Sequence, residues 1–263
     1  MDNGFSFASV ILSYFLVGGG MFTATLVGSE LRLGSERAAF ALFAAGAFAG
    51  GFVAARASRG RTILEPAIGG VAVVATIVGL AATTPIGKLI WVMAQDQTMK
   101  FVGAVGLAGA VGAIVGAFVS EKLLGEATRS SIPWIVYTAM STFGACLLAT
   151  LFASLLFLGD NVATRSDLDL GGGVLIGIGG GCLLAGLAVG ASSRVRPLLA
   201  VFIGGGLGVT GFFALVARSG FPATTDATTD VKLGLVLLAV AGAIVTLVGT
   251  LVGWGIVGRK HAS

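Results

Sequence analysis

Three groups of side chains in this sequence have types and spacings that bear on chemistry. The first is Glu65, which stands directly before Pro66 and four residues after Arg61. A carboxylate at the start of a helix is stabilised by exposed N–H groups and the helix dipole, and this one can also pair with Arg61. Capping is therefore preferred to a catalytic or proton-carrying role. The second group is a pair of basic turns, Arg59 with Arg61 and Arg194 with Arg196, which are candidates for structural or headgroup contacts. The third is a row of hydroxyls, Thr138, Ser141 and Thr142, on one helical face with Cys146 one turn further on. Such hydroxyls bond across helices or back to their own carbonyls. A hydroxyl-lined cavity for a neutral solute or a lipid headgroup is the sharper alternative.

The missing groups narrow the chemistry further. No Asp, Glu, Lys, Arg or His occupies the middle of an apolar block. Charges inside a membrane usually mark proton relays and ion routes, so their absence argues against a proton-driven pump or an ion-coupled carrier. His261 sits in the tail, and no metal cluster, triad or paired acid can be assembled. The triple glycines precede no Lys-Ser/Thr pair, so a phosphate loop is not expected. No catalytic residue, metal or cofactor is predicted, and the chain is read as a non-enzyme. Cys146 and Cys182 lie in apolar blocks and read as small apolar packers. The net charge of +4 is scattered, which excludes a nucleic-acid track.

The elements that would position these groups are membrane helices. Of the 263 residues, 56% are hydrophobic and 11% charged, too few charges to cover a surface facing water. The apolar blocks are long enough to cross a hydrocarbon layer of about 30 Å as helices, where a backbone must satisfy its own hydrogen bonds. We place spans at about 5–28, 38–57, 66–84, 101–120, 132–158, 172–192, 197–217 and 232–257. The first is too long for a cleaved leader, and no basic residue precedes it. Pro66, Pro133 and Pro197 fall where helices would begin, where a missing N–H does no harm. Trp91, Trp134 and Trp254 fall near block ends, at the expected headgroup level. Ile86–Met93 is apolar but too short to cross, and reads as an interfacial turn or an extension of span three.

Residues 51–70 and 186–205 match at an offset of 135, with identities that include Ser58/Ser193, Arg59/Arg194, Arg61/Arg196, Gly69/Gly204 and Gly70/Gly205. A shorter echo sets Gly112–Val115 against Gly242–Val245 at an offset of 130. These echoes predict a duplication, with residues 1–128 as one four-helix repeat and 129–263 as the other. An even number of spans makes the repeats parallel. The side holding both Arg-x-Arg turns carries nine Lys or Arg against seven opposite, so both termini are expected in the cytoplasm.

Glycine supplies 43 residues, many in pairs four apart, such as Gly46/Gly50, Gly112/Gly116, Gly177/Gly181, Gly186/Gly190, Gly204/Gly208 and Gly249/Gly253. Such strips let backbones approach closely, and packing within the bundle is preferred to a surface for another subunit. The expected class is all-α: a polytopic protein of a bacterial-type inner membrane, with about eight transmembrane helices in two parallel four-helix repeats. Its expected partners are the lipid bilayer and other membrane subunits or further copies of itself. The leading function is a non-enzymatic structural or scaffold subunit of a membrane complex. The alternative is a facilitator or carrier for a neutral small solute or lipid.

Overall fold

The computed structural model describes residues 5–31, 35–57, 63–83, 95–124, 131–158, 167–192, 198–218 and 229–258. These hold eight helices: α1 (Phe7–Glu30), α2 (Glu36–Ala57), α3 (Leu64–Thr83), α4 (Gln95–Leu124), α5 (Ser131–Leu158), α6 (Asp167–Ser192), α7 (Leu198–Arg218) and α8 (Thr229–Gly258). Seven are long and apolar enough to cross a membrane. In α3 the apolar stretch found among the described residues is Leu64–Thr76, within a helix that is about 30 Å long at 1.5 Å per residue.

The helices are apolar around most of their girth, as expected of segments with lipid on one side and protein on the other. Several extend past the expected spans. α4 begins at Gln95 and ends at Leu124 instead of running over 101–120, and α6 begins at Asp167 instead of near 172. Hydrogen bonding along a helix does not stop where the apolar residues stop, so polar turns such as Gln95–Lys100 continue it. The stretch Ile86–Met93 lies outside the described residues. Pro66 and Pro133 fall in the first turns of α3 and α5, where no intrahelical N–H is lost.

α1 lies at the centre. Leu12, Ser13 and every residue from Phe15 to Met21 are buried, and α1 touches α2, α3, α5 and α6. Its triple glycine shows why. Successive residues point about 100° apart around a helix, and between them these three glycines face α5, α3 and α2. A methyl group on Gly18 would lie 2.8 Å from Leu148 of α5 and 3.3 Å from Val73 of α3. One on Gly19 would lie 2.8 Å from the Cα of Gly144 in α5, and one on Gly20 would run into the carbonyl of Gly46 in α2.

The helix contacts are alike in the two halves. In α1–α4 the first helix packs on the second and third, and the fourth packs on the second and third; in α5–α8 the same neighbours meet. The halves join chiefly through α1 against α5 and α6. A cluster of Leu12, Phe15, Leu16, Ala54, Ala57, Tyr137, Ala188, Val189 and Val201 spans that join. It brings together the starts of α1, α5 and α7 and the ends of α2 and α6, here called the entry end. Trp134, which the sequence assigns to the headgroup level, packs half-buried on this cluster, edge to face with Tyr137 at 5.6 Å between ring centres.

Candidate functional site

The polar groups described at the entry end start from Ser6. It precedes α1 and its hydroxyl accepts the N–H of Ser9 at 3.4 Å. That is the first half of a capping box, in which the third helical residue would return a carboxylate to the N–H of the cap. Here the third residue is Ser9, which cannot do so. Glu65, 59 residues away in α3, supplies the carboxylate instead: the Ser6 N–H donates to Glu65 Oε1 at 3.2 Å. Thus Glu65, in the first turn of its own helix as the sequence suggests, also caps α1 and ties the starts of α1 and α3 together.

Glu65 is fully buried, and its Oε2 has no hydrogen-bond partner. The Ser9 hydroxyl, equally buried, also has none. Gly69, one turn along α3, seats against Ser13 and Tyr14, one turn along α1 from Ser9. α1 and α3 run parallel, so Glu65 and Ser9 lie at the same level between them. The expected partner Arg61 lies outside the described residues, as do Arg59, Arg194 and Arg196. Arg56, at the end of α2, is half-buried and has a buried Nη1 without a partner; its place beside the basic turn is visible in the sequence, the burial of that atom is not.

Thr138, Ser141 and Thr142 are all fully buried on α5. Thr138 and Thr142 face α7, where methyl groups placed on Gly204 and Gly208 would lie 2.7 and 2.8 Å from their Cβ atoms. Their Oγ1 atoms have no hydrogen-bond partner, while Ser141 Oγ donates to the Thr138 carbonyl at 3.1 Å. The row is a small-residue seam against glycine.

Further polar contacts have no signature in the sequence. Tyr14 OH donates to Thr76 Oγ1 at 3.0 Å across α1 and α3. Thr250 Oγ1 of α8 lies 3.2 Å from the Gly186 carbonyl of α6 and 2.9 Å from the Thr246 carbonyl. Among the described residues no group of three or more His, Cys, Asp or Glu could hold a metal.

All six glycine pairs singled out in the sequence face helices of the same chain. Gly46 and Gly50 meet α1, Gly112 and Gly116 meet α2, and Gly177 and Gly181 meet α5. Gly186 and Gly190 meet α8, Gly204 and Gly208 meet α5, and Gly249 and Gly253 meet α6. Large apolar side chains point outward instead, such as Leu199 on α7, Leu107 on α4 and Val236 and Leu237 on α8. That distribution suits contact with lipid. No known protein family, curated protein or solved structure matches the chain. The fold defines a class: a multi-pass, all-helical membrane protein.

Proposed function

We propose that this protein is a non-enzymatic structural subunit of a membrane complex, acting through its outer helix faces and not through an internal site. One observation carries the proposal: the seam between the halves is closed by backbone. Gly19 and Gly144 meet there, and a methyl group on Gly144 would collide with the Phe15 carbonyl. A solute has no room between α1 and α5 at that level. The hydroxyl row, the best candidate for a wall of a cavity, is also occupied by glycines of α7. On this reading the protein sits in a cell membrane of the bacterial inner type, and the balance of basic residues favours both termini in the cytoplasm. Purification in mild detergent followed by native mass spectrometry tests the reading. Recovery with partner chains or as a defined oligomer is expected. A lone chain that moves a solute across vesicles by itself would overturn it.

The alternative, a carrier of a neutral solute or lipid, draws on duplication. We take residues 1–128 and 129–263 as two parallel copies. Matching contacts support this. Gly69 on Ser13 corresponds to Gly204 on Thr138, and Gly70 on Ala113 corresponds to Gly205 on Thr246. Gly116 against Phe48 and Phe52 corresponds to Gly249 against Leu183 and Leu187. These pairs set an offset of 125 for α1 and α5, 135 for the next two helices, and 133 for α4 and α8. The echo at 130 does not share contacts: Gly112 seats on α2, whereas Gly242 seats on Val209 of α7 and Cys182 of α6. Parallel repeats can move against each other around a site at their junction. Cross-linking α1 to α5 through cysteines in place of Gly18 and Leu148, where an added side chain meets only side-chain ends, would block such motion. A carrier would lose transport on cross-linking, and a structural subunit would keep its function.

A further inference from the structure

The structure assigns a redox role to Cys146 and Cys182: we propose that they are a dithiol which closes to a disulfide inside the bilayer, with a lipid-soluble quinone as oxidant. They are the chain's two cysteines, and their Sγ atoms lie 3.7 Å apart, on α5 and α6. Both are fully buried. The helices are in close contact at the same level, since a methyl group on Gly181 would lie 2.8 Å from the Cα of Cys146. A disulfide has an S–S distance of about 2.05 Å, so the sulfurs need to approach by roughly 1.7 Å. Two side-chain rotations and a small helix shift can supply this.

The corresponding cluster of the first half is filled by Met21 and Ala47 with Val17, Val73 and Ala113. A core of this kind therefore packs without a thiol pair. Around the cysteines stand Ile178, Val209 and Phe212, with Phe143 and Val245 at the margin. This shell selects the chemistry. Two thiolates alone leave a metal ion short of ligands, and among the described residues no third His, Cys, Asp or Glu stands with them. A disulfide is neutral. Each cysteine stands fifteen residues from the start of its helix, near mid-membrane depth, where an oxidant must itself be apolar and meets the buried sulfurs only when the surrounding side chains part. In the proposed step two S–H bonds break and one S–S bond forms. The two electrons and two protons pass to the quinone, which leaves as quinol. The product ties α5 to α6 covalently.

The test uses the full chain reconstituted in phosphatidylcholine vesicles and exposed to duroquinone, whose fully substituted ring resists thiol addition. The protein is then unfolded in dodecyl sulfate and alkylated. The expected product is a single chain lighter by two hydrogens, unalkylated until a thiol reductant restores both sites. Cys146→Ala and Cys182→Ala should each keep one thiol fully open to alkylation before and after the quinone. Two alkylated cysteines in the quinone-treated wild type, or a bridge between two chains, would overturn the proposal.

Discussion

The two halves of this bundle meet alike helix neighbours but hold their entry ends by different chemistry. In α1–α4 a buried carboxylate on α3 accepts the N–H that opens α1, and Tyr14 bonds to Thr76 further along the same pair of helices. In α5–α8 the residue in line with Glu65 is Ala200, small and buried. There α5 meets α7 through Thr138 and Thr142 against Gly204 and Gly208, and α8 meets α6 through Thr246 and Thr250 against Gly186 and Gly190. Both halves pack through close backbone contacts at glycine, and the first adds a bond from the Ser6 N–H to a buried carboxyl group. In an apolar solvent both routes work, because helices associate there by dispersion and hydrogen bonding, not by escape from water.

The seam where the halves join should be the most sensitive place. Gly144→Val puts a branched side chain against the Phe15 carbonyl and the Gly19 backbone. Backbone cannot yield as a flexible side chain can, and the expected loss is at least about 3 kcal/mol, the upper end of ordinary overpacking. Thermal unfolding in detergent should show the transition displaced far down or absent. A variant as stable as the wild type would mean that α1 and α5 do not touch in the membrane.

Glu65 comes next. Glu65→Ala removes a hydrogen bond worth about 1 kcal/mol and opens a gap between α1 and α3, which adds to the loss. Glu65→Gln keeps an acceptor for the Ser6 N–H and fills the same space, and should recover most of that loss. Equal stability of all three would remove the contrast between the halves. A fully active Glu65→Gln variant also counts against any proton-carrying role for this residue.

Much of the architecture can be read along the chain, because a transmembrane helix announces itself locally as a block without charges. The glycines announce close contact as well, but not its direction. Gly18, Gly19 and Gly20 are one run in the sequence, yet in the fold they divide among α5, α3 and α2. Glu65 is conspicuous before Pro66, yet its partner is the Ser6 N–H, 59 residues earlier. No local rule links those positions, so the sequence assigned the carboxylate to the nearer helix. The hydroxyl row of α5 was visible by its spacing, while the glycines that cover it belong to α7. The cysteines likewise read as separate apolar packers until α5 and α6 bring them together. Pairings between distant segments are set by which small faces fit, and that information is shared between two stretches of sequence.

Smaller substitutions sharpen the comparison. Tyr14→Phe should cost about 1 kcal/mol, because Thr76 still donates to the Ala72 carbonyl at 2.9 Å and is not left unpaired. Thr250→Val should cost about 0.6 kcal/mol, the average for hydrogen bonds between membrane helices. The first-half bond is thus expected to exceed its second-half counterpart only modestly, and unfolding in detergent can rank them. A reversed order would shift the weight of polar contacts to α5–α8.

The smallest effect belongs to glycines that no neighbour needs. Nothing lies within 4 Å of a methyl group placed on Gly180 or Gly255. Alanine there relieves the entropy that glycine loses in a helix, a gain of up to about 1 kcal/mol. Gly180→Ala should therefore unfold at the same temperature as the wild type or slightly higher. Gly181→Ala, the adjacent residue, should be clearly destabilised, because its methyl group would press on Ala145 and Cys146 at 2.7 to 2.8 Å. The pair separates two uses of glycine within one helix: helix propensity governs the outward position and interhelical distance governs the inward one. If Gly180→Ala proved as harmful as Gly181→Ala, something outside the chain would have to occupy the space beside Gly180. That is the result a subunit of a larger assembly would give in its native membrane but not after separation from its partners.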